Sequence, residues 1–298
     1  MIIVTGASGL LGAGLTRYLQ TEGREFVGLY HRFPPPALGV NSLRIDLLDH
    51  VQIKDLVKRL CPQWVIHCAA FTDVDWCEEN AEEAYQMNTQ VTGELARWTR
   101  HVGGRFLYVS TDSVFDGSKG DYREEDEPAP LNVYARSKLA GEKASLEEGA
   151  NSLVVRTNIY GWNVQKKQSL AEWILGRLES GQSFLSFTNV FFTPILVDDL
   201  SEILLEMMDQ ELNGIYHVAG SQVCSKYEFA LELAELFDLE SVVIQTASLA
   251  DSNLKAPRPR NTSLSSIKAA QALGRQMPDL KTGLQRFRAL RGGAKKFA

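Results

Sequence analysis

The 298-residue chain predicts an α/β fold, a doubly wound parallel sheet with a second, smaller C-terminal lobe. Two observations carry that expectation. Short apolar runs alternate with longer segments of helical spacing through the first half, the pattern of a parallel sheet with right-handed crossovers and helices on both faces. A glycine-rich turn, Thr5-Gly6-Ala7-Ser8-Gly9-Leu10-Leu11-Gly12, follows the first of those runs directly. In a strand-to-helix frame such a turn holds phosphate.

Ile2–Thr5, Glu25–Tyr30, Ser42–Ile45, Trp64–Cys68, Arg105–Ser110 and Leu153–Arg156 are the expected strands. Trp64-Val65-Ile66 is continuous rather than alternating because a central parallel strand is buried on both faces. Leu10–Glu22, Val51–Leu60, Glu78–His101 and Asn132–Glu147 carry apolar residues at helical spacing. After Arg156 the alternation loosens. Leu170–Leu178 and Asp198–Met208 are expected helices, the latter with Asp198 as N-cap. Gly214–Ala219 is an expected late strand and Lys226–Phe237 a late helix, while Pro34-Pro35-Pro36 marks a stiff loop.

At 44% apolar and 23% charged residues, the composition is that of a soluble globular protein. No apolar run approaches the roughly 18 residues that span a bilayer. Ile2-Ile3-Val4 after Met1 reads as a strand and not as a secretory signal. A cytoplasmic location without a membrane partner is therefore expected. Cys61, Cys68, Cys77 and Cys224 lack metal-ligand spacing and read as thiols of a reducing compartment. The net charge of −6 divides into +10 over Ser252–Ala298 and −16 over the rest. A basic tail can attract an anionic ligand, or it can be a solvated helix face (Arg286, Arg288, Arg291) with a frayed end at Lys295-Lys296. No motif supports nucleic acid, and the overall acidity opposes it.

Gly6 permits the sharp turn, Gly9 a close approach of backbone to pyrophosphate, and Gly12 close packing of helix on strand. Ser8, Leu10 and Leu11 complete the cradle, where helix N–H groups face the phosphates. The second strand ends Val27-Gly28-Leu29-Tyr30-His31-Arg32, without the acid that binds ribose hydroxyls in NAD-selective sites. Arg32, beside His31, can pair with a 2′-phosphate through its planar fork. That favours NADP(H), with NAD(H) still open; Arg32 as a solvated loop residue is the alternative. Asp46 can hold the adenine amine or cap the following helix.

Tyr134 and Lys138 share a helix face at i and i+4. A nearby cation is expected to lower the phenol's pKa, and a positioned phenol can exchange a proton with a carbonyl or alcohol oxygen. Lys138 has a second task on the nicotinamide ribose. Thr111, just past an apolar strand, can hydrogen-bond the same substrate oxygen. Asn88 sits mid-helix with either an amide task or an outward-facing place.

These segments resemble the extended short-chain dehydrogenase/reductases, and among them the dTDP-4-dehydrorhamnose reductase-like proteins. The resemblance is carried by Thr5–Gly12, His67–Asp75, Tyr108–Gly117, Pro130–Glu142, Val155–Gly161 and Arg258–Leu264. It implies a Rossmann-like fold and NAD(P)H-dependent reduction of the 4-keto group of a nucleoside-diphosphate deoxysugar. Tyr134 would protonate the sugar oxygen, Lys138 hold the ribose, and Thr111 with Asp112 orient the substrate. Cys68, Ala69 and Ala70 would line the cofactor cleft, Asp46 and Leu47 the adenine, and the helix of Asn88 would lie behind the nicotinamide. Arg258 and Arg260 would lie near the diphosphate, or pack a C-terminal turn. The implied division is a dinucleotide-binding domain over 1–157, rejoined by 189–219, with a substrate lobe over 158–188 and 220–298. A homodimer is left open.

The chain departs from its relatives' pattern at three places. Ser113 stands where tyrosine is common. Asn158 and Ile159 follow Arg156-Thr157 where tryptophan is common, the nearest being Trp162. Gly14 replaces a metal-binding glutamate, so no metal is expected. Gly220–Ala234 also resembles the regulatory subunit of methionine adenosyltransferase, which binds NADP. A nucleotide-sugar epimerase or dehydratase is a further alternative.

Overall fold

The computed structural model describes residues 1–35, 41–148 and 151–294. The first half runs β1 (Ile2–Thr5), α1 (Leu10–Thr21), β2 (Phe26–Tyr30), β3 (Ser42–Arg44), α2 (His50–Leu60) and β4 (Trp64–His67). It continues with α3 (Val74–Glu79), α4 (Ala81–Tyr85), α5 (Val91–His101), β5 (Arg105–Val109), α6 (Val133–Glu147) and β6 (Ser152–Arg156). Then follow β7 (Ile159–Tyr160), α7 (Leu170–Glu179), β8 (Phe184–Phe187), β9 (Phe191–Phe192), β10 (Ile195–Leu196) and α8 (Val197–Asp209). The last elements are β11 (Gly214–His217), β12 (Cys224–Ser225), α9 (Lys226–Leu236), β13 (Ile244–Ala247), α10 (Ile267–Leu273) and α11 (Leu280–Ala294).

Seven of these strands form one parallel sheet in the order β3-β2-β1-β4-β5-β6-β11. The order reverses between β1 and β4, which opens a crevice at their carboxyl ends, the usual ligand position in such sheets. Leu11, Leu15 and Leu19 of α1 meet Leu200, Ile203 and Leu204 of α8 over one face. Ile53 and Val57 of α2 with Leu95 of α5 cover the other. A further core joins Ile174, Phe229, Leu233, Leu284 and Phe287 of α7, α9 and α11. Among the described residues no helix is long and apolar enough to cross a membrane.

The segment expected as one helix over Glu78–His101 is broken. α3 ends at Asn80, and a wide π-helical turn, Gln86–Gln90, separates α4 from α5. That turn carries Asn88 inward, where its amide meets the Phe71 N–H and carbonyl (2.9 and 3.1 Å) and the Ser137 hydroxyl (3.0 Å). Gly141 matters here, because a Cβ would overlap the Asn88 carbonyl.

Asp198 is not the cap of α8. β10 runs directly into the helix through extended Leu196, and Asp198 in the first turn pairs with Arg17 of α1. The basic face of α11 is not merely solvated either. Arg286 pairs with Asp199 and Glu202, Arg288 with the Leu236 carbonyl and Asp238, and Arg291 with Glu179. Lys295, Lys296 and Pro36 lie outside the described residues.

His67, ending β4, and His217, ending β11, are fully buried. His217 donates Nδ1–H to the Tyr122 carbonyl (3.0 Å) and faces Arg156 Nη1 with Nε2 (3.4 Å), so the ring is neutral. Burial pulls both histidines down to about 3, whereas an unfolded histidine titrates near 6.5. Below that value the unfolded chain binds protons that the fold refuses, so stability is full above about pH 6.5 and falls with acidification. The expected loss is about 1.4 kcal/mol per pH unit for each histidine. Urea unfolding at about pH 7.5 and about pH 5.5 measures it. A His217→Gln variant with the wild-type pH slope would contradict the assignment.

Candidate active site

Gly6 takes φ +63° to turn the chain out of β1. A Cβ there would sit 2.9 Å from Ala69 N, and one on Gly12 would overlap the Gly6 carbonyl. Both positions therefore need glycine for close approach, and Gly6 also for its left-handed backbone. Gly9 begins α1 with no side-chain cap, so Leu10, Leu11 and Gly12 offer first-turn N–H groups to an anion. The Thr5 hydroxyl joins the two walls of the crevice. It accepts from Cys68 N and Ala69 N (3.2 Å each) and gives its own proton to His67 Nδ1 (2.7 Å).

His31 and Arg32 are exposed beyond β2. Arg44, which the sequence reading did not single out, ends β3 beside them and donates Nε to the His31 carbonyl (3.1 Å). Asp46 folds an Asx turn onto Leu48 N (3.0 Å), and it is Asp49 that caps α2; Leu47 is buried. Gln165 is a second residue missed. From the loop after β7 it donates Nε2 to the Ser8 carbonyl (2.7 Å) and Oγ (3.1 Å), at the glycine turn.

α6 is started by Asn132, whose side chain accepts from Ala135 N (2.9 Å). That places Tyr134 in the first turn and Lys138 one turn on, both beside the crevice. Burial pushes the Tyr134 phenol above its ordinary value, and the Thr111 side chain against it pulls the other way. The expected lowering by Lys138 does not occur. Its ammonium donates to the Val109 carbonyl (2.8 Å) and lies 4.0 Å over the Tyr108 ring instead of addressing the phenol. Burial pulls Lys138 down to about 7, with Glu142 opposing. Tyr134 is thus a neutral phenol with a proton to give. Cys68, half-buried beside Ala69 and Ala70, is pushed up to about 12 by burial and stays a thiol.

Other expected contacts are engaged within the protein. Asn88 supports the Phe71 backbone and α6, with both amide hydrogens bound, so it positions the crevice wall. Asp112 receives the Thr111 and Ser113 hydroxyls (3.2 and 3.3 Å) on Oδ1, and Asn158 Nδ2 and the Thr262 hydroxyl (2.7 and 2.6 Å) on Oδ2. It organises the loop carrying Thr111. Arg258 is tied to Asp75 (3.0 Å) and the Ala256 carbonyl (2.8 Å), whereas Arg260 is exposed. Trp162 stacks on Phe287 at 4.2 Å, inside the core of α7, α9 and α11.

The family model described as the RmlD substrate binding domain matches residues 1–290. The probable low-salt glycan biosynthesis reductase Agl14 of Haloferax volcanii is 33% identical over 290 residues, 96% of each chain. Methionine adenosyltransferase 2 subunit beta of Pongo abelii is 33% identical over 272 residues, 88% of this chain and 79% of that one. A dTDP-4-dehydrorhamnose reductase of Bacillus anthracis, solved in complex with NADP, superposes with a TM-score of 0.84 at 27% identity, covering 97% and 98% of the two chains. With its glycine turn, its Tyr134–Lys138 helix and a match over nearly its whole length, the chain belongs to the RmlD substrate-binding-domain family.

Proposed function

We propose that the protein is an NADPH-preferring reductase of the 4-keto group of a deoxyhexose carried on a nucleoside diphosphate. The carrying observation is geometric: the Asn132 cap places Tyr134 in the first turn of α6 with Lys138 one turn on, beside the β5 end that carries Thr111. The uncapped start of α1, with its first-turn N–H groups free, suits a dinucleotide's phosphates. Reduced nicotinamide, when bound, supplies the hydride. Tyr134 then gives its proton to the sugar oxygen as negative charge grows there, and the Thr111 hydroxyl turns from Asp112 to donate to the same oxygen. Lys138, on the same helix face, would hold the ribose of the cofactor. The solved relative in complex with NADP and the Haloferax reductase support this reading. The four free thiols suit a reducing cytoplasm.

The similarity to methionine adenosyltransferase 2 subunit beta sustains a second reading, a regulatory subunit that binds cofactor without turnover. NADPH oxidation with a panel of 4-keto nucleotide sugars separates the two. Turnover of at least one supports the reductase; NADPH binding without oxidation of any supports the regulatory role. Cofactor preference is tested separately. Arg32→Ala combined with Arg44→Ala is expected to weaken NADPH by roughly tenfold or more and leave NADH unchanged, since both guanidinium groups, neighbours at the ends of β2 and β3, would pair with a 2′-phosphate. An unchanged NADPH/NADH ratio would remove the argument for NADP.

A further inference from the structure

α9 begins at Lys226, whose backbone N–H is held by the Val190 carbonyl (2.9 Å) next to the antiparallel β9–β12 pair. This sets the side chain over β9, with Nζ 3.2 Å from the centre of the Phe192 ring. Among the described residues the ammonium makes no hydrogen bond and no ion pair. Asp112 is close enough to act on its charge, but both Asp112 oxygens are already bound by two donors each. Cys224, the other titratable neighbour, is pushed up to about 12 by burial and carries no charge. The phenyl face attracts a cation but leaves its N–H groups without acceptors.

Lys226 is half-buried with no acceptor from the described residues, and burial pulls its ammonium down to about 8. A phosphate oxygen would supply both the charge and the acceptor. Arg260 lies along the same strand, its carbonyl accepting from Phe191 N (2.7 Å) and its side chain exposed. Two cations therefore flank β9, while Arg258 is neutralised by Asp75.

We propose that Lys226 binds the diphosphate of the nucleotide ligand from the far side of the crevice, its ammonium donating to a phosphate oxygen. The inference rests on the sugar-nucleotide reading only for what the diphosphate carries, and a nucleoside diphosphate alone tests it. Calorimetric titration of dTDP and of UDP into the NADP-loaded protein is the measurement. Lys226→Met should weaken both by about tenfold or more. Lys226→Arg should restore most of the affinity, and thymidine should bind equally to all forms. Unchanged NADP affinity verifies folding, and Lys226→Gln gives the same comparison with a polar side chain. Wild-type affinity for dTDP and UDP in both neutral variants overturns the inference. So does a loss seen only with sugar nucleotides, which places the contact on the sugar, and so does failure of the wild type to bind either diphosphate. The reductase reading is judged apart from these outcomes, by NADPH oxidation.

Discussion

Tyr134→Phe lowers kcat/KM for sugar-nucleotide reduction by about 10²–10⁴-fold, while NADPH binds with unchanged affinity. Only the hydroxyl is lost. The ring keeps its volume beside Phe71 and Trp76, and the Asn132 cap that places it on α6 is untouched. Because burial holds the phenol above its ordinary value, the proton stays on Tyr134 through the neutral range and is available to the developing alkoxide. Thr111 can turn its hydroxyl from Asp112 to the oxygen but has no means of delivering a net proton at comparable cost. Steady-state kinetics with equilibrium NADPH binding measures both halves of the expectation. Full activity in the phenylalanine variant would remove Tyr134 as the proton donor.

Glu142→Ala should be the most destabilising single change, by roughly 3–5 kcal/mol. Glu142 and Arg156 are an ion pair with each side chain 2% exposed. Arg156 Nε faces both carboxylate oxygens (3.0 and 3.2 Å), Nη2 bonds Oε2 (2.7 Å), and the Ser110 hydroxyl adds a further bond to Oε1 (2.5 Å). The pair fastens α6, one turn beyond Lys138, to the ends of β5 and β6, and through Arg156 to His217 of β11. Removing the carboxylate leaves a guanidinium buried without its counter-charge, which is worse than having neither group. Urea unfolding of Glu142→Leu, Arg156→Met and the Glu142→Leu/Arg156→Met double variant forms a cycle, with Glu142→Ala measured alongside. The double variant should lose less than the sum of the singles. Additive losses would show that the pair is not coupled.

Much of this was legible locally. Ile2-Ile3-Val4 and Trp64-Val65-Ile66 announce central parallel strands, because strands buried on both faces are apolar at successive positions. Gly6 and Gly12 are explained by steric exclusion within a few residues and against the adjoining strand. The spacing of Tyr134 and Lys138 is enough to put both on one helix face.

What the chain alone did not reveal is which distant group meets each polar side chain. Gln165 reaches Ser8 across 157 residues and Arg17 reaches Asp198 across 181. No pattern near either position signals these contacts. Lys138 was placed correctly on its helix, yet only the packed sheet brings the Val109 carbonyl and the Tyr108 ring to its ammonium, and so leaves Tyr134 protonated. The π-helical turn at Asn88 likewise exists because the Phe71 backbone and Ser137 require an inward amide there. Periodicity and backbone sterics act over one or two turns and can be read along the chain. Desolvation and hydrogen-bond partnership are set by whatever the fold packs against a group, and those the tertiary structure decided.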